Sequence, residues 1–313
     1  MNQSYNIPIL LIIFKRLNTT KQLLTILQQI KPRQLFIAAD GPRPNVAGED
    51  EQCNIVRKYV VENINWDCKV ETLFHDINLG CGKAPAQAIT WFFKHIDMGI
   101  ILEDDCLPNL SFFKFMEELL NKYKDDTRIM QISGTNRLIK FETSNSYVFT
   151  NWSSEWGWAT WRRAWKYYDF NIKFFIENKN KTINILKYIY YKEHWYNSIY
   201  DILMQTVNNP NISWWDYQWG FIKNINSGLT IIPKYNLVAN IGFDEDSTHT
   251  FDKTSSFFNM PCFELEYPLI HPDYIHCDID YDLIILEKHF PSPPKASFFS
   301  RIKKIIKRII WKK

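Results

Sequence analysis

The chain has 313 residues, of which 46% are hydrophobic and 16% aromatic, with 12 Trp and a net charge of +3. This composition excludes a disordered or low-complexity protein and provides enough apolar residues for one large domain or two smaller ones. The charge is uneven: Arg301 to Lys313 contain seven Lys or Arg and no acid, so the basic character belongs to the tail and the rest is mildly acidic.

The six cysteines, at 53, 68, 81, 106, 262 and 277, form no C-x-x-C pair and have no metal-ligand spacing with histidine, so they read as reduced thiols of a cytosolic protein. The apolar run Ile7 to Phe14 is too short to span a bilayer, and its cations, Lys15 and Arg16, follow it where a signal peptide would place them first. It reads as a buried strand. Asn18 is then a good N-cap for a helix carrying Leu23, Leu24, Leu27 and Ile30 on one face. The next strand, Gln34 to Ala39, ends in the turn cluster Asp40 to Pro44, which puts Asp40 and Arg43 at a strand's carboxyl end. A helix follows over about Ala47 to Asn63, then a strand over Lys69 to Phe74.

The segment His75 to Lys83 contains Gly80 and Gly82 before a helix with Pro85 in its first turn and Ala86, Ile89, Phe93 and Ile96 on one face. Such a loop can hold phosphate with Lys83 as counter-charge, although its spacing matches neither the Walker loop nor the dinucleotide fingerprint, and a simple tight turn accounts for it equally well. Ile100 to Leu102 form an apolar run without polar alternation, as in a strand covered on both faces, and it ends in three acids, Glu103, Asp104 and Asp105. Like charges this close raise one another's pKa unless a cation compensates, and a hard divalent ion, Mg²⁺ or Mn²⁺, is the natural partner. The competing reading is a solvated acidic turn that starts the helix Leu110 to Tyr123. Strands alternating with helices in this way predict β-α-β units and a mostly parallel sheet.

Beyond residue 127 come the strand-like Arg128 to Asn136 and a segment, Asn151 to Trp165, with five Trp in 14 residues. That is too many for one helical stripe, so some rings are expected at a cleft and most against the sheet. One long amphipathic helix is predicted over about Lys181 to Val207. In Trp214-Trp215-Asp216-Tyr217-Gln218-Trp219, Asp216 sits amid four large rings, which suits a general base; a helix-cap aspartate is the alternative. Two short strands, Leu229 to Ile232 and Leu237 to Ile241, lead into a polar loop offering His249 as a ligand or phosphate donor. Pro291 to Pro294 read as a stiff linker.

Taken together, a first strand followed by Arg, a second ending in Asp-Gly, an Asn-x-Gly loop, a strand ending Glu-Asp-Asp before Phe112-Phe113, and the late Trp215-Asp216 resemble metal-dependent nucleotide-sugar glycosyltransferases of the GT-A fold. The likeness is to N-acetylglucosaminyltransferase I and related bacterial sugar transferases, over about residues 7 to 255. It implies an α/β fold with a mostly parallel central sheet flanked by helices, divided into a Rossmann-like nucleotide-sugar half (1–126) and an acceptor half (127–290), followed by a linker (291–297) and a tail (298–313). It further implies that Arg16 and Asp40 grip the nucleotide, with Asp40 facing the base. Asp104 would contact ribose or sugar, Asp105 would bind Mn²⁺ or Mg²⁺, Asp216 would be the catalytic base, and His249 would belong to a loop closing over the diphosphate. Glu103 and Lys83 complete the expected donor-binding set.

The chemistry fits these residues independently. Sugar transfer needs a metal at the departing diphosphate and a base at the attacking hydroxyl, and a single base opposite the leaving group implies inversion. The expected partners are a nucleotide-sugar donor and a glycan or lipid-linked acceptor, with no nucleic acid. Phe298, Phe299, Ile302, Ile305, Ile306, Ile309 and Ile310 recur at helical spacing opposite the basic residues, predicting a peripheral helix on an anionic cytoplasmic membrane face. The alternatives are a sugar nucleotidyltransferase, which needs a Gly-rich basic loop that Phe14 to Asn18 lacks, and a non-catalytic carbohydrate-binding or membrane-active protein working through its Trp cluster.

Overall fold

The computed structural model describes residues 5–209, 211–242 and 256–292. Its first half alternates as expected: β1 (Ile9–Ile13), α1 (Leu17–Ile30), β2 (Gln34–Ala39), α2 (Glu49–Glu62), β3 (Lys69–Phe74), α3 (Gly80–His95), β4 (Met98–Glu103), β5 (Cys106–Pro108) and α4 (Leu110–Lys122). The second half contains β6 (Ile129–Ser133), β7 (Tyr147–Thr150), β8 (Trp158–Trp161), α5 (Arg162–Trp165), α6 (Lys173–Glu177), α7 (Lys179–Tyr190), α8 (Glu193–Asn208), α9 (Asp216–Ile225), β9 (Leu229–Pro233), β10 (Val238–Asn240) and α10 (Ile279–His289).

One mixed sheet runs through both halves in the order β3-β2-β1-β4-β8-β6-β9-β7, and β5 pairs with β10 in a small second sheet. Strands β3, β2, β1, β4, β6 and β9 point one way, and β8 and β7 the other. The fold is therefore α/β with a mostly parallel central sheet flanked by helices. Both faces of β1 are covered, because its side chains alternate between two cores. Ile9, Leu11 and Ile13 pack with α1, α2 and α4, whereas Leu10 packs with α3 and with Trp158, Trp165, Trp215 and Trp219. That two-sided burial explains why these strands read as unbroken apolar runs.

Three expectations need correction, and one helix was not expected. Helix α1 begins at Leu17, so Arg16 and not Asn18 occupies its N-cap, and the Arg16 carbonyl accepts from the hydroxyls of Thr19 (3.1 Å) and Thr20 (2.7 Å). Helix α3 begins at Gly80, so the glycine segment is its first turn and not a loop ahead of it. The single helix expected over 181–207 is two, broken at Tyr191 and Lys192, where the chain turns α8 back against α7. Finally, residues 256–292 carry the unforeseen α10, whose Tyr281, Ile285 and Leu286 enter a third core with Trp152, Trp195 and Phe221.

Candidate functional site

The strand order places a switch point between β1 and β4, because the chain winds outward from β1 through β2 to β3 and then returns to β4 on the other side. In an open α/β sheet the crevice outside the carboxyl ends of such strands is where ligands bind. Arg16 follows β1 at this point, Glu103 ends β4, and Asp104 and Asp105 follow it. The Arg16 guanidinium donates to Asp104 and, at 2.9 Å, to Asp105. Asp104 and Asp105 are buried, and burial pushes the Asp104 carboxyl above the usual carboxylate range. Burial, with Asp105 and Asp104 as neighbours, does the same to Glu103, and the charge of Asp216 reaches it as well. Three acids face one guanidinium here.

Two oxygens of the acid cluster keep acceptor capacity among the described residues. Asp104 Oδ2 is buried and has no hydrogen-bond partner among the described residues. Among the described residues, Asp105 Oδ1 has only long contacts, 3.5 Å to Asn240 Nδ2 and 3.5 Å to Cys106 Sγ. No group of three or more His, Cys, Asp or Glu among the described residues could cage an ion alone, but Mg²⁺-type sites need only one or two carboxylates and complete their shell with water and substrate phosphates. Gly242 abuts the cluster: a Cβ there would lie 1.9 Å from Asp105 Oδ2 and 2.7 Å from an Arg16 nitrogen. His249 lies outside the described residues.

Asp40 is buried and fully engaged within the chain. Its Oδ1 accepts from Gly41 N (2.9 Å) and Leu79 N (2.8 Å), and its Oδ2 from Asn78 Nδ2 (3.0 Å) and Gly80 N (2.9 Å). It thus caps α3 from a neighbouring strand, satisfying amides that a helix start leaves open. The glycines nearby serve close chain crossings. A Cβ on Gly41 would meet the Ile77 backbone at 2.3 Å, and one on Gly82 the Ile212 carbonyl oxygen at 2.8 Å. Lys83 is exposed in the first turn of α3. Arg43 pairs with the buried Glu49 at the start of α2, and Arg43 with its hydrogen bonds holds that carboxyl down at about 2.

Asp216 opens α9, with its carboxylate accepting from Tyr217 N at 3.0 Å. Of the rings around it, Trp215 and Trp219 are core: Trp215 stacks on Trp158 with centroids 5.7 Å apart, and Trp165 lies 5.2 Å from Trp219. Most of the Trp-rich segment is core too, with Trp158, Trp161 and Trp165 buried; Trp152 lines a cavity that Asp216 also lines, and Trp156 stacks with Arg137 at 4.4 Å.

That cavity contains residues the sequence reading passed over. Glu155 precedes the downward strand β8, and Arg137 follows the upward strand β6, so both come to the edge that carries Glu103 to Asp105; Gly134 N donates to Gly157 O at 2.7 Å between their loops. Burial, with the negative charge of Asp216, pushes Glu155 up to about 8. The signal available in sequence was a lone acid among five tryptophans.

No protein-family model matches the sequence, and no curated protein matches it in sequence. Among solved structures, the chain is similar to HddC from Yersinia pseudotuberculosis at 12% identity and a TM-score of 0.30, over 51% of this chain and 77% of that one. It is also similar to mouse xyloside xylosyltransferase 1 in its apo form at 12% identity and a TM-score of 0.35, over 70% of this chain and 81% of that one. At such scores the assignment of the fold rests on the strand order and register themselves. Those define a doubly wound α/β protein with an acidic crevice at its switch point.

Proposed function

We propose that the protein is an inverting glycosyltransferase that moves a sugar from a nucleoside diphosphate, UDP being the expected nucleotide, to a hydroxyl of a cell-surface polysaccharide or lipid-linked glycan. The observation that supports this reading is the adjacency of two differently built acid sites on one sheet edge. The Arg16, Asp104 and Asp105 cluster lies at the switch point, and Asp216 lies within electrostatic reach of it, beside a cavity of its own.

In this reading the donor diphosphate lies over the crevice, with Arg16 as its guanidinium partner. Asp105, supported by the buried Asp104, would hold Mn²⁺ or Mg²⁺, which would supply charge neutralisation for the departing diphosphate. Asp216 accepts the proton of the acceptor hydroxyl as that oxygen bonds to the anomeric carbon. The bond from that carbon to the phosphate oxygen breaks, and the nucleoside diphosphate leaves with the electron pair. Attack from the face opposite the leaving group inverts the configuration.

A screen of nucleotide sugars, with and without Mn²⁺, for release of nucleoside diphosphate tests this directly. The expected result is metal-dependent release from one donor, absent in Asp105→Asn, with the melting temperature of that variant within a few degrees of the parent's because Arg16 keeps its bond to Asp104 and one of three mutually repelling acids becomes neutral. Failure of every donor, or metal dependence unchanged in Asp105→Asn, would refute it.

A further inference from the structure

The cavity beside Asp216 has a volume of about 90 Å³, well below the roughly 300 Å³ of a site for a whole cofactor. It admits the hydroxylated edge of one ring and not a nucleotide. Arg137, Trp152, Glu155, Asp216, Tyr217 and Asn224 line it. Two of its buried polar groups have no partner among the described residues: the Trp152 indole N–H, on a residue 8% exposed, and Asn224 Oδ1, on a residue 6% exposed. A buried donor and a buried acceptor left open are each destabilising unless something pairs with them. An occupant with hydroxyls supplies both partners.

The walls are locked. Gln131, fully buried in β6, accepts at Oε1 from Trp219 Nε1 (3.0 Å) and Ser153 Oγ (3.2 Å), which fixes its amide so that Nε2 donates to Ser154 O (2.9 Å) and Glu155 Oε1 (3.4 Å). From α9, the buried Lys223 Nζ donates to Asn151 O (2.8 Å) and Trp152 O (3.3 Å). The loop with Glu155 and the helix with Asp216 are therefore held as one unit. The aromatic walls favour an occupant with an apolar face.

We propose that this cavity is a pyranose site, the acceptor site on the glycosyltransferase reading, in which Glu155 hydrogen-bonds a hydroxyl of the sugar next to the one that Asp216 addresses. Near neutral pH the Glu155 carboxyl keeps its proton and donates, because it is buried and Asp216 is close. Asp216, Tyr217 and Lys223 face it from α9, Arg137 from the segment after β6, and His289 lines the same cavity from α10.

The test uses the full chain and methyl β-glycosides of glucose, galactose, mannose and N-acetylglucosamine, with binding read by saturation-transfer NMR without nucleotide. One glycoside is expected to bind through its ring protons. Its affinity should drop about tenfold or more in Glu155→Ala, a loss of about 1.4 kcal/mol, stay within a few-fold in Glu155→Gln, and fall several-fold in Trp152→Phe, which keeps the ring and removes the donor. Parent affinity should fall as pH rises from 6.5 to 9, whereas Glu155→Gln should be flat. UDP binding with Mn²⁺, measured on the same variants, should not change. Saturation of none of the four glycosides, or equal affinity in parent and Glu155→Ala, overturns the inference. If glycoside binding depends on Glu155 while UDP does not bind, the sugar site stands and the glycosyltransferase reading falls.

Discussion

Arg16 carries the charge balance of the crevice, since its guanidinium bonds both Asp104 and Asp105 with Glu103 close behind. Unit charges about 4 Å apart interact by about 4 kcal/mol at an effective dielectric of about 20, so one cation offsets only part of the repulsion among three acids. Arg16→Gln leaves buried carboxylates uncompensated and is expected to cost about 3–5 kcal/mol. Mn²⁺ should restore more of the melting temperature in that variant than it adds to the parent; equal Mn²⁺ shifts in calorimetry would show that the acids do not form a cation site. At Asp216, Asn keeps the size and the bond to Tyr217 N but removes basicity. Transfer should drop by roughly 10²- to 10⁴-fold with donor affinity and melting temperature nearly constant. If Asp216 only caps α9, the same variant loses about 1 kcal/mol or less and turns over normally.

Helix α3 and the segment ahead of α9 act as one element. Gly82 lies under the carbonyls of Ile212 and Trp214, and Cys81 Sγ donates to Ser213 O at 3.0 Å. A Cβ at Gly82 would sit 2.8 Å from the Ile212 oxygen and 3.1 Å from that of Trp214, so Gly82→Ala must push the segment away. Overpacking of this kind costs about 1–3 kcal/mol, and the displacement carries through Trp215 to Asp216. We expect Gly82→Ala to lower kcat more than it raises the donor KM, and a donor-affinity loss with kcat intact would place Gly82 on the nucleotide side instead.

Across the whole molecule, the buried acid Glu155 and the buried base Lys223 contribute opposite slopes to the dependence of stability on pH, and Glu103 and Asp104, also raised by burial, add to the acid side. Glu155 holds its proton up to about 8, whereas the unfolded chain releases it near 4.5, so stability falls as pH rises through that window. Lys223, pulled down to about 8 by burial from 10.5, is neutral in the folded chain while the unfolded chain still binds a proton, so stability rises from pH 8 toward 10. Together they place a dip near pH 8. Denaturant titrations should show the acid-side limb flattened in Glu155→Gln, by an amount on the order of a few kcal/mol, and an unchanged limb would remove Glu155 from the account. Among the described residues no helix is long and apolar enough to cross a membrane. Residues 298–313 lie outside the described residues, and their seven cations, each worth about 1 kcal/mol near an anionic leaflet, are expected to hold the chain on vesicles. Equal co-sedimentation of the full chain and one ending at Pro294 would rule this out.

The sequence by itself determined the elements whose patterns are local. The apolar runs ending at Phe14, Ala39 and Leu102 read as strands, the last of them covered on both faces, and three adjacent acids after it had to sit at a strand's carboxyl end. Asp216 stood out for the same reason, as a charge set among rings. Only the tertiary structure decided what each glycine and acid contacts. Asp40 is satisfied by amides about 40 residues away, Gly82 is required by a carbonyl 130 residues on, and Trp158 and Trp165 meet Trp215 and Trp219 on one face of the sheet. Glu155 gave no periodic or motif signal, because its environment is assembled from β6, α9 and the loop before β8. Burial, and with it the shift of a carboxyl toward neutrality, is a property of packing between segments distant in sequence, which no local pattern records.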